Sequence, residues 1–436
     1  MIIIMKSKIS SSLQSMTIFA LALPGLQRPI YADSVPYAKT GIDLKYTHYQ
    51  ESKDRFKIDV AQADFKIPIN EKFDVGLYLV QDSMAGASPV FYMPLAIRNM
   101  GASLNTLSEV KSGASNIKTG ASIRDRRDEM RVVGRYFSGD YVTALSAGYS
   151  GENDYHSLTL SGNLQYTFNK KNTALLLGGS YSDDKSKRSP AQGGLPWDSP
   201  QSKGHKNTAR LTIGVKQDVS KETMMQVNLE ADFDQGYLSD PYKRVLIHGD
   251  ATGARTDSIY TLYANYGLPN PGGYTVDFDR RPRTRKTYAL VGQFVHGIEP
   301  LKSSLHGNYR FAINDWGVQS HTFEASYFQP IAEGWDVSFL GRYYAQSEAR
   351  FYDMAFSVMP NSPFPAKSIG LSDLASSDYR LTYFGSFGGE IKVIKEITPQ
   401  ISANILAGLS VRNGQFSFLG KSKINNPSNT FNTYYI

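Results

Sequence analysis

Between Leu158 and Phe168 the chain alternates without a break. Leu158, Leu160, Gly162, Leu164, Tyr166 and Phe168 hold one phase, and Thr159, Ser161, Asn163, Gln165 and Thr167 hold the other. A period of two places the two phases on opposite faces of a strand, whereas a helix would mix them. A strand of about ten residues, apolar on one face and polar on the other, has the length that crosses a hydrocarbon core at a tilt as part of a barrel.

The same period recurs from end to end. Segments near 42–48, 55–67, 73–82, 130–137, 141–149, 157–168, 173–182 and 207–217 carry it, as do those near 223–234, 286–297, 303–314, 319–329, 335–346, 379–393, 399–411 and 430–436. That predicts an all-β transmembrane antiparallel β-barrel of about sixteen strands, an even number as single-chain bacterial barrels have. Connection lengths check the count independently. Odd-to-even connections are mostly long (83–129, 183–206, 235–285, 347–378), and even-to-odd ones are short, such as Asn70–Lys72, Ser138–Asp140 and Ala332–Gly334. Long extracellular loops opposite short periplasmic turns produce this segregation, and a soluble sandwich has no reason to. In the segment 55–67 the apolar phase changes from Phe56, Ile58 and Val60 to Ala63, Phe65 and Ile67, which predicts a bulge near Ala61 or a stretch beyond the bilayer.

Composition supports this and excludes other classes. The 436 residues suffice for one large barrel, and 41% hydrophobic content leaves no helical span beyond the first residues. The chain has 28 Tyr and 22 Phe, and Tyr149, Phe168, Tyr181, Phe233, Trp335 and Tyr343 fall outward near strand ends, where interfacial girdles form. With no Cys, disulfides, thiolate metal sites, iron–sulfur ligation and covalent c-type haem are excluded. The net charge of +7 is spread over strands and loops rather than gathered in a patch, so no nucleic-acid partner is expected. Lys6 and Lys8 precede the apolar run Thr17–Leu23, broken by Pro24-Gly25, which reads as an export signal over residues 1–32 followed by a barrel domain over 33–436. The sequence stops at Thr433–Ile436 without the terminal Phe or Trp common in such proteins, so its last strand is expected to be short or incomplete.

Charged side chains on the lipid face of a barrel are costly, so the charged phase belongs to the lumen. Two ladders stand out. Glu230, Asp232 and Asp234 end one strand, and Arg281, Arg283 and Arg285 enter the next. Arg127, Arg131 and Arg135 share a phase with Glu129, while Arg310 and Arg342 have the lumenal phase in later strands. Opposed rows of this kind select ions; simple neutralisation of a polar lumen explains them equally well. Asp250 and Asp257 lack the spacing of a calcium loop. The apolar loop stretch Ala87–Leu95 needs a surface to cover, as a plug in the mouth or against a partner.

Hydrolytic chemistry finds little support. The seven His are scattered, with no Gly-x-Ser-x-Gly elbow and no His-Glu-x-x-His helix. His321 and Glu324 fall on opposite faces, and His306 has the lumenal phase beside Asn308 and Arg310 with no Ser evidently placed against it.

Particular strings resemble a known family: Gln81–Pro89 (QDSMAGASP), Asp125–Glu129 (DRRDE), Gly236–Lys243 (GYLSDPYK), Arg280–Pro282 (RRP), Gln329-Pro330, Arg342–Ser347 (RYYAQS) and Ser376–Leu381 (SSDYRL). Together they resemble the bacterial outer-membrane family catalogued as domain of unknown function 3570, over nearly all of the mature chain. The resemblance implies a Gram-negative outer-membrane protein. Its members tend to be encoded beside a thioredoxin-like protein, a small lipoprotein and a flavin transferase, which implies exported redox chemistry. The family assigns no catalytic residues. The insert from Leu246 to Tyr274 and the missing terminal aromatic depart from its pattern.

The expectation is therefore a non-enzymatic outer-membrane barrel without cofactor or metal, acting as a channel for small polar solutes or as a scaffold for an exported redox system. Its expected partners are outer-membrane lipid and lipopolysaccharide, the barrel assembly machinery, and a periplasmic redox protein or small lipoprotein. A barrel hydrolase acting on lipid or surface polymer, or an adhesion or receptor surface built from the long loops, are the alternatives.

Overall fold

The computed structural model describes residues 36–37, 39–52, 55–86, 89–92, 116–118, 123–187, 203–241, 243–248, 274–358, 366–370, 373–420 and 430–436. Sixteen antiparallel strands close into one barrel in chain order. They are β1 (Gly41–Glu51), β2 (Phe56–Asn70), β3 (Phe73–Gly86), β4 (Ile123–Ser138), β5 (Tyr141–Gly151), β6 (Tyr155–Phe168), β7 (Thr173–Lys187) and β8 (Lys203–Asp218). The wall continues with β9 (Thr223–Gly236), β10 (Thr284–Ile298), β11 (Ser303–Asn314), β12 (Gln319–Ala332), β13 (Trp335–Gln346), β14 (Phe384–Glu396), β15 (Ser402–Asn413) and β16 (Phe431–Tyr435). Each period-two segment of the sequence becomes one strand. The expected export segment lies outside the described residues, as do Asp250 and Asp257; of the apolar loop stretch only Pro89–Tyr92 is described, a short strand paired with Asn116–Lys118.

The founding stretch lies in β6 with the faces its pattern demands. Leu158 and Leu160 are exposed on the outside, while Thr159 is buried within. Tyr166 stacks on Tyr141 of β5 at 4.7 Å between ring centroids, near the periplasmic edge. Inside, Ser146 and Ser161 share a hydrogen bond of 2.6 Å. A charge placed outside must enter hydrocarbon. Leu164→Arg is expected to cost about 2–4 kcal/mol in urea unfolding from vesicles. Gln165→Arg, one residue on and aimed into the lumen, should cost much less; equal losses would refute the assignment of faces.

Two expectations need correction. No bulge interrupts β2 near Ala61: its register runs unbroken from Lys57 to Lys66 against β1, with an irregularity only at Pro68/Asn70 against β3. The phase changes because the strand leaves the bilayer, the other of the two readings this stretch allows. Above Ala61, outward Asp59 is held by Tyr46 (2.6 Å) and His48 (2.8 Å), while inward Ile58 and Val60 pack with Tyr49 and Tyr435. The other correction concerns β14, which starts at Phe384 and not near 379. Asp378 to Thr382 are instead drawn out of the wall, into a cap at the extracellular end.

That cap is built from the loops after β9 and β13. Tyr274–Phe278, Arg244–His248, Phe356–Ser357 and Lys367–Ser368 form a four-stranded sheet in that order. Val245, Ile247, Phe356 and Ala375 make one buried cluster, and Trp316, Phe351, Tyr352, Met354 and Leu381 belong to another. A loop with its own apolar core holds one shape. At the opposite end the turns are tight: Gly139 adopts φ 58 between β4 and β5, a left-handed conformation that glycine enters without steric penalty.

Candidate functional site

Among the described residues the lumen is lined largely by the polar phase of the strands, with apolar side chains such as Val142, Leu176 and Val291 among them, and many of its charges are paired. Asp234 of β9 accepts from Arg285 of β10 (2.8 Å) and from Thr208 of β8 (2.7 Å). Asp232 accepts from Arg210 of β8 at 2.6 Å. Glu230 meets Arg310 of β11 at 3.3 Å, across the intervening β10. Register places Ala289 of β10 opposite Glu230, a side chain short enough for the pair to pass over. Arg342 of β13 lies 3.1 Å from Glu324 of β12.

On the β3–β4 wall, Arg127 donates to Asp82 at 2.8 Å. Arg131 lies over the Tyr78 ring at 4.8 Å. Arg135 binds Asp74 through two bonds of 2.7 Å, with Asp74 fully enclosed. Tyr37, from the segment preceding β1, donates its backbone N–H to the same carboxylate at 3.0 Å and lies under the Arg135 guanidinium at 4.0 Å. The periplasmic end of this wall is thus covered by the chain's own N-terminal segment.

Most of the predicted ladder residues do face the lumen, and acids stand beside arginines along the wall, Asp234 with Arg285 of the neighbouring strand. Each acid of β9 is matched to a nearby arginine, so charge is cancelled locally. Arg281 and Arg283 depart from the expectation, because β10 begins only at Thr284. Arg283 is exposed at the strand's edge. Arg281 belongs to the cap, where it donates to Asp279 and Asp378, each at 2.7 Å.

The cap is held by a buried charge network. Arg380 binds Asp378 through its Nε at 2.8 Å and also contacts Asp240. Burial alone would raise Asp378, but Arg380, Arg281 and Lys243 outweigh it and hold this carboxyl well below the usual range. Burial lowers Lys243 to about 8 against the pull of Asp378 and Asp240. The network grips the barrel mouth from within. Lumen-facing Gln346 donates to the carbonyls of Arg380 (3.0 Å) and Thr382 (2.7 Å), and Arg412 donates to that of Tyr379 (2.8 Å).

Sequence reasoning passes over Arg210, Asp74 and Asp82, and weighs Glu324 only against His321, although the phase of each in the alternation is enough to place it in the lumen. It also passes over a hydroxyl beside His306: Ser304 Oγ lies 3.0 Å from Nε2. No carboxylate joins that ring among the described residues, so the triad needed to activate a serine is incomplete. Asp125, Glu152 and Asp154 bring oxygens within 4.8 Å of one another at the extracellular rim, the hard donors a divalent cation would take. Burial, with the neighbouring acids, raises Glu152 to about 7 against the opposing Arg127, so this cluster keeps part of its protons at neutral pH.

A closed barrel with a lipid-facing apolar band, an ion-paired polar lumen and a folded extracellular cap defines a transmembrane barrel of the outer-membrane type. The chain belongs to the family described as "Protein of unknown function (DUF3570)", whose profile matches residues 13–410. No curated protein matches the chain. Among solved structures it is similar to the siderophore receptor PirA from Pseudomonas aeruginosa, at 10% identity and a TM-score of 0.39, covering 87% of this chain and 56% of that one. It is also similar to CdiB from Acinetobacter baumannii, at 6% identity and a TM-score of 0.45 over 92% of this chain and 60% of that one. For OpdK from Pseudomonas aeruginosa the values are 8% and 0.36, over 91% and 96%. The chain spans a little over half the length of PirA.

Proposed function

We propose that this protein is a non-enzymatic barrel of the Gram-negative outer membrane that admits small polar solutes through its lumen, with passage governed by the extracellular cap. The observation that carries the reading is the ion-paired polar lining, which runs from Asp74–Arg135 at the periplasmic end to Asp234–Arg285 near the mouth. An interior with no passage to support would be cheaper to fill with apolar side chains, since buried ion pairs add little to stability over a hydrophobic packing. Sixteen strands also enclose enough width for water.

Because acids and arginines pair along each wall, the lumen carries little net field, and strong ion selectivity is not expected. The test is single-channel recording of the purified protein in planar bilayers. Expected are discrete conductance steps with a potassium-to-chloride permeability ratio near one. Absence of conductance in both the wild type and a variant with its cap loosened would refute the channel, and a ratio far from one would refute the neutral lumen.

A further inference from the structure

The outer wall carries a charged patch that the channel does not use. On β6, β7 and β8 the lipid-facing phase rises past its last interfacial residues and then turns basic. Tyr149 of β5 and Tyr181 of β7 are exposed at that boundary. One outward step beyond Tyr149 and two beyond Tyr181, His156 of β6 stands in register with Lys185 of β7, and Lys185 with His205 of β8. Three basic side chains therefore occupy one rung across three adjacent strands, about 5 Å apart at each step. Lys187 follows on the same face, and Lys185 and His205 are exposed at 71% and 55%.

Lys185 and Lys187 are exposed cations on this outward face, and the imidazoles on either side of Lys185 can offer ring N–H donors to an anion. One carboxylate of the same face enters the patch. Asp183 contacts His205 and lies 3.9 Å from Lys185. The Tyr149 hydroxyl engages His156 Nδ1 at 3.0 Å, so Nε2 is the nitrogen turned to a ligand. The patch lies to the extracellular side of exposed Leu158, Leu160 and Tyr181 on the same outward face, the level at which outer-leaflet headgroups are expected.

We infer that this face binds a phosphate-bearing lipid of the outer leaflet, lipopolysaccharide. Its acyl chains would lie along the leucine-rich wall below, and a phosphate would lie across the His156–Lys185–His205 rung. Charge complementarity selects this occupant, because a second copy of the chain would set the same bases against each other. The inference does not depend on whether the lumen conducts.

The test is native mass spectrometry of the full-length barrel in mild detergent, titrated with diphosphorylated lipid A and, in parallel, with its dephosphorylated counterpart. The variant Lys185→Ser/Lys187→Ser is compared with Lys170→Ser/Lys171→Ser, which removes equal charge from a periplasmic turn. Loss of two lysines at a membrane surface should weaken binding roughly thirtyfold in the first variant and leave the second unchanged. Heat-modifiable electrophoretic mobility checks folding, and Lys187→Ser alone supplies a milder variant with a smaller loss. Equal binding by both double variants, equal binding of dephosphorylated lipid, or full competition by inorganic phosphate would each overturn the proposal.

Discussion

Asp378→Asn is expected to loosen the extracellular cap while leaving the barrel wall intact, seen as larger or more frequent conductance steps and faster proteolysis between residues 347 and 383. Asp378 is fully buried and accepts from both Arg281 and Arg380. An amide in its place keeps the shape but removes the charge that these two guanidinium groups share. Arg281 retains Asp279 and Arg380 retains Asp240, so the network is weakened and not abolished. Breaking a buried pair by removing one partner typically costs about 3–5 kcal/mol, with the remaining partners recovering part of that here. The wall is unaffected because its ladder bonds do not pass through Asp378. The sign of the pH dependence follows from the depressed carboxyl. Its contribution is complete above the ordinary carboxylate range and is lost only as pH falls through its lowered folded value. The Asp378 contacts should therefore persist under mildly acidic conditions, whereas Asp279, which burial raises above the usual carboxylate range, gives up its charge first. Currents and proteolysis identical to wild type would refute the role of this network.

How much of this was legible in the chain depends on the range of the interaction. Alternation is local, so the sixteen staves and the lumenal phase of Arg127, Arg131, Arg135, Glu230, Asp232 and Asp234 could be read directly. Pairing is not local. Nothing within β9 says that Glu230 reaches past its neighbour to Arg310, because that depends on the size of a side chain on the intervening strand. The cap was hidden for the same reason. Ser376–Leu381 was visible as a string, but its partners Asp240 and Arg281 lie in another loop, brought near only by closure of the barrel. Arg281 and Arg283 were assigned by extending the phase of β10 upstream, an inference that fails where a strand ends. At Ala61 alternation alone leaves two readings open, a bulge or a change of solvent along the strand, and only the register against β1 separates them.

The second large effect is expected at the periplasmic end. Arg135→Ala should destabilise the barrel by about 3–5 kcal/mol in urea unfolding from vesicles, the range for stranding one member of a buried pair. Asp74 has no exposed surface and would be left with the Tyr37 backbone N–H as its remaining donor among the described contacts. Tyr37 would lose the guanidinium over its ring, so the same substitution should release the N-terminal segment to protease. The double variant Asp74→Ala/Arg135→Ala separates two causes. If the cost comes from an orphaned charge, removing Asp74 as well restores much of the stability. If it comes from lost packing, since Arg135 also lies 5.2 Å over Phe137, the double variant is no better than the single one. The orphaned charge should dominate, because enclosing an uncompensated carboxylate costs several kcal/mol after relaxation, whereas a cation–π contact contributes about 0.5–2 kcal/mol. Protease access distinguishes the two functions of the pair: the double variant should recover stability yet still release Tyr37, whose anchor is gone in either case. An N-terminal segment that stays protected in both variants would show that Tyr37 is held by other contacts, such as its side-chain hydrogen bond with Tyr78, and that Asp74–Arg135 serves the wall alone.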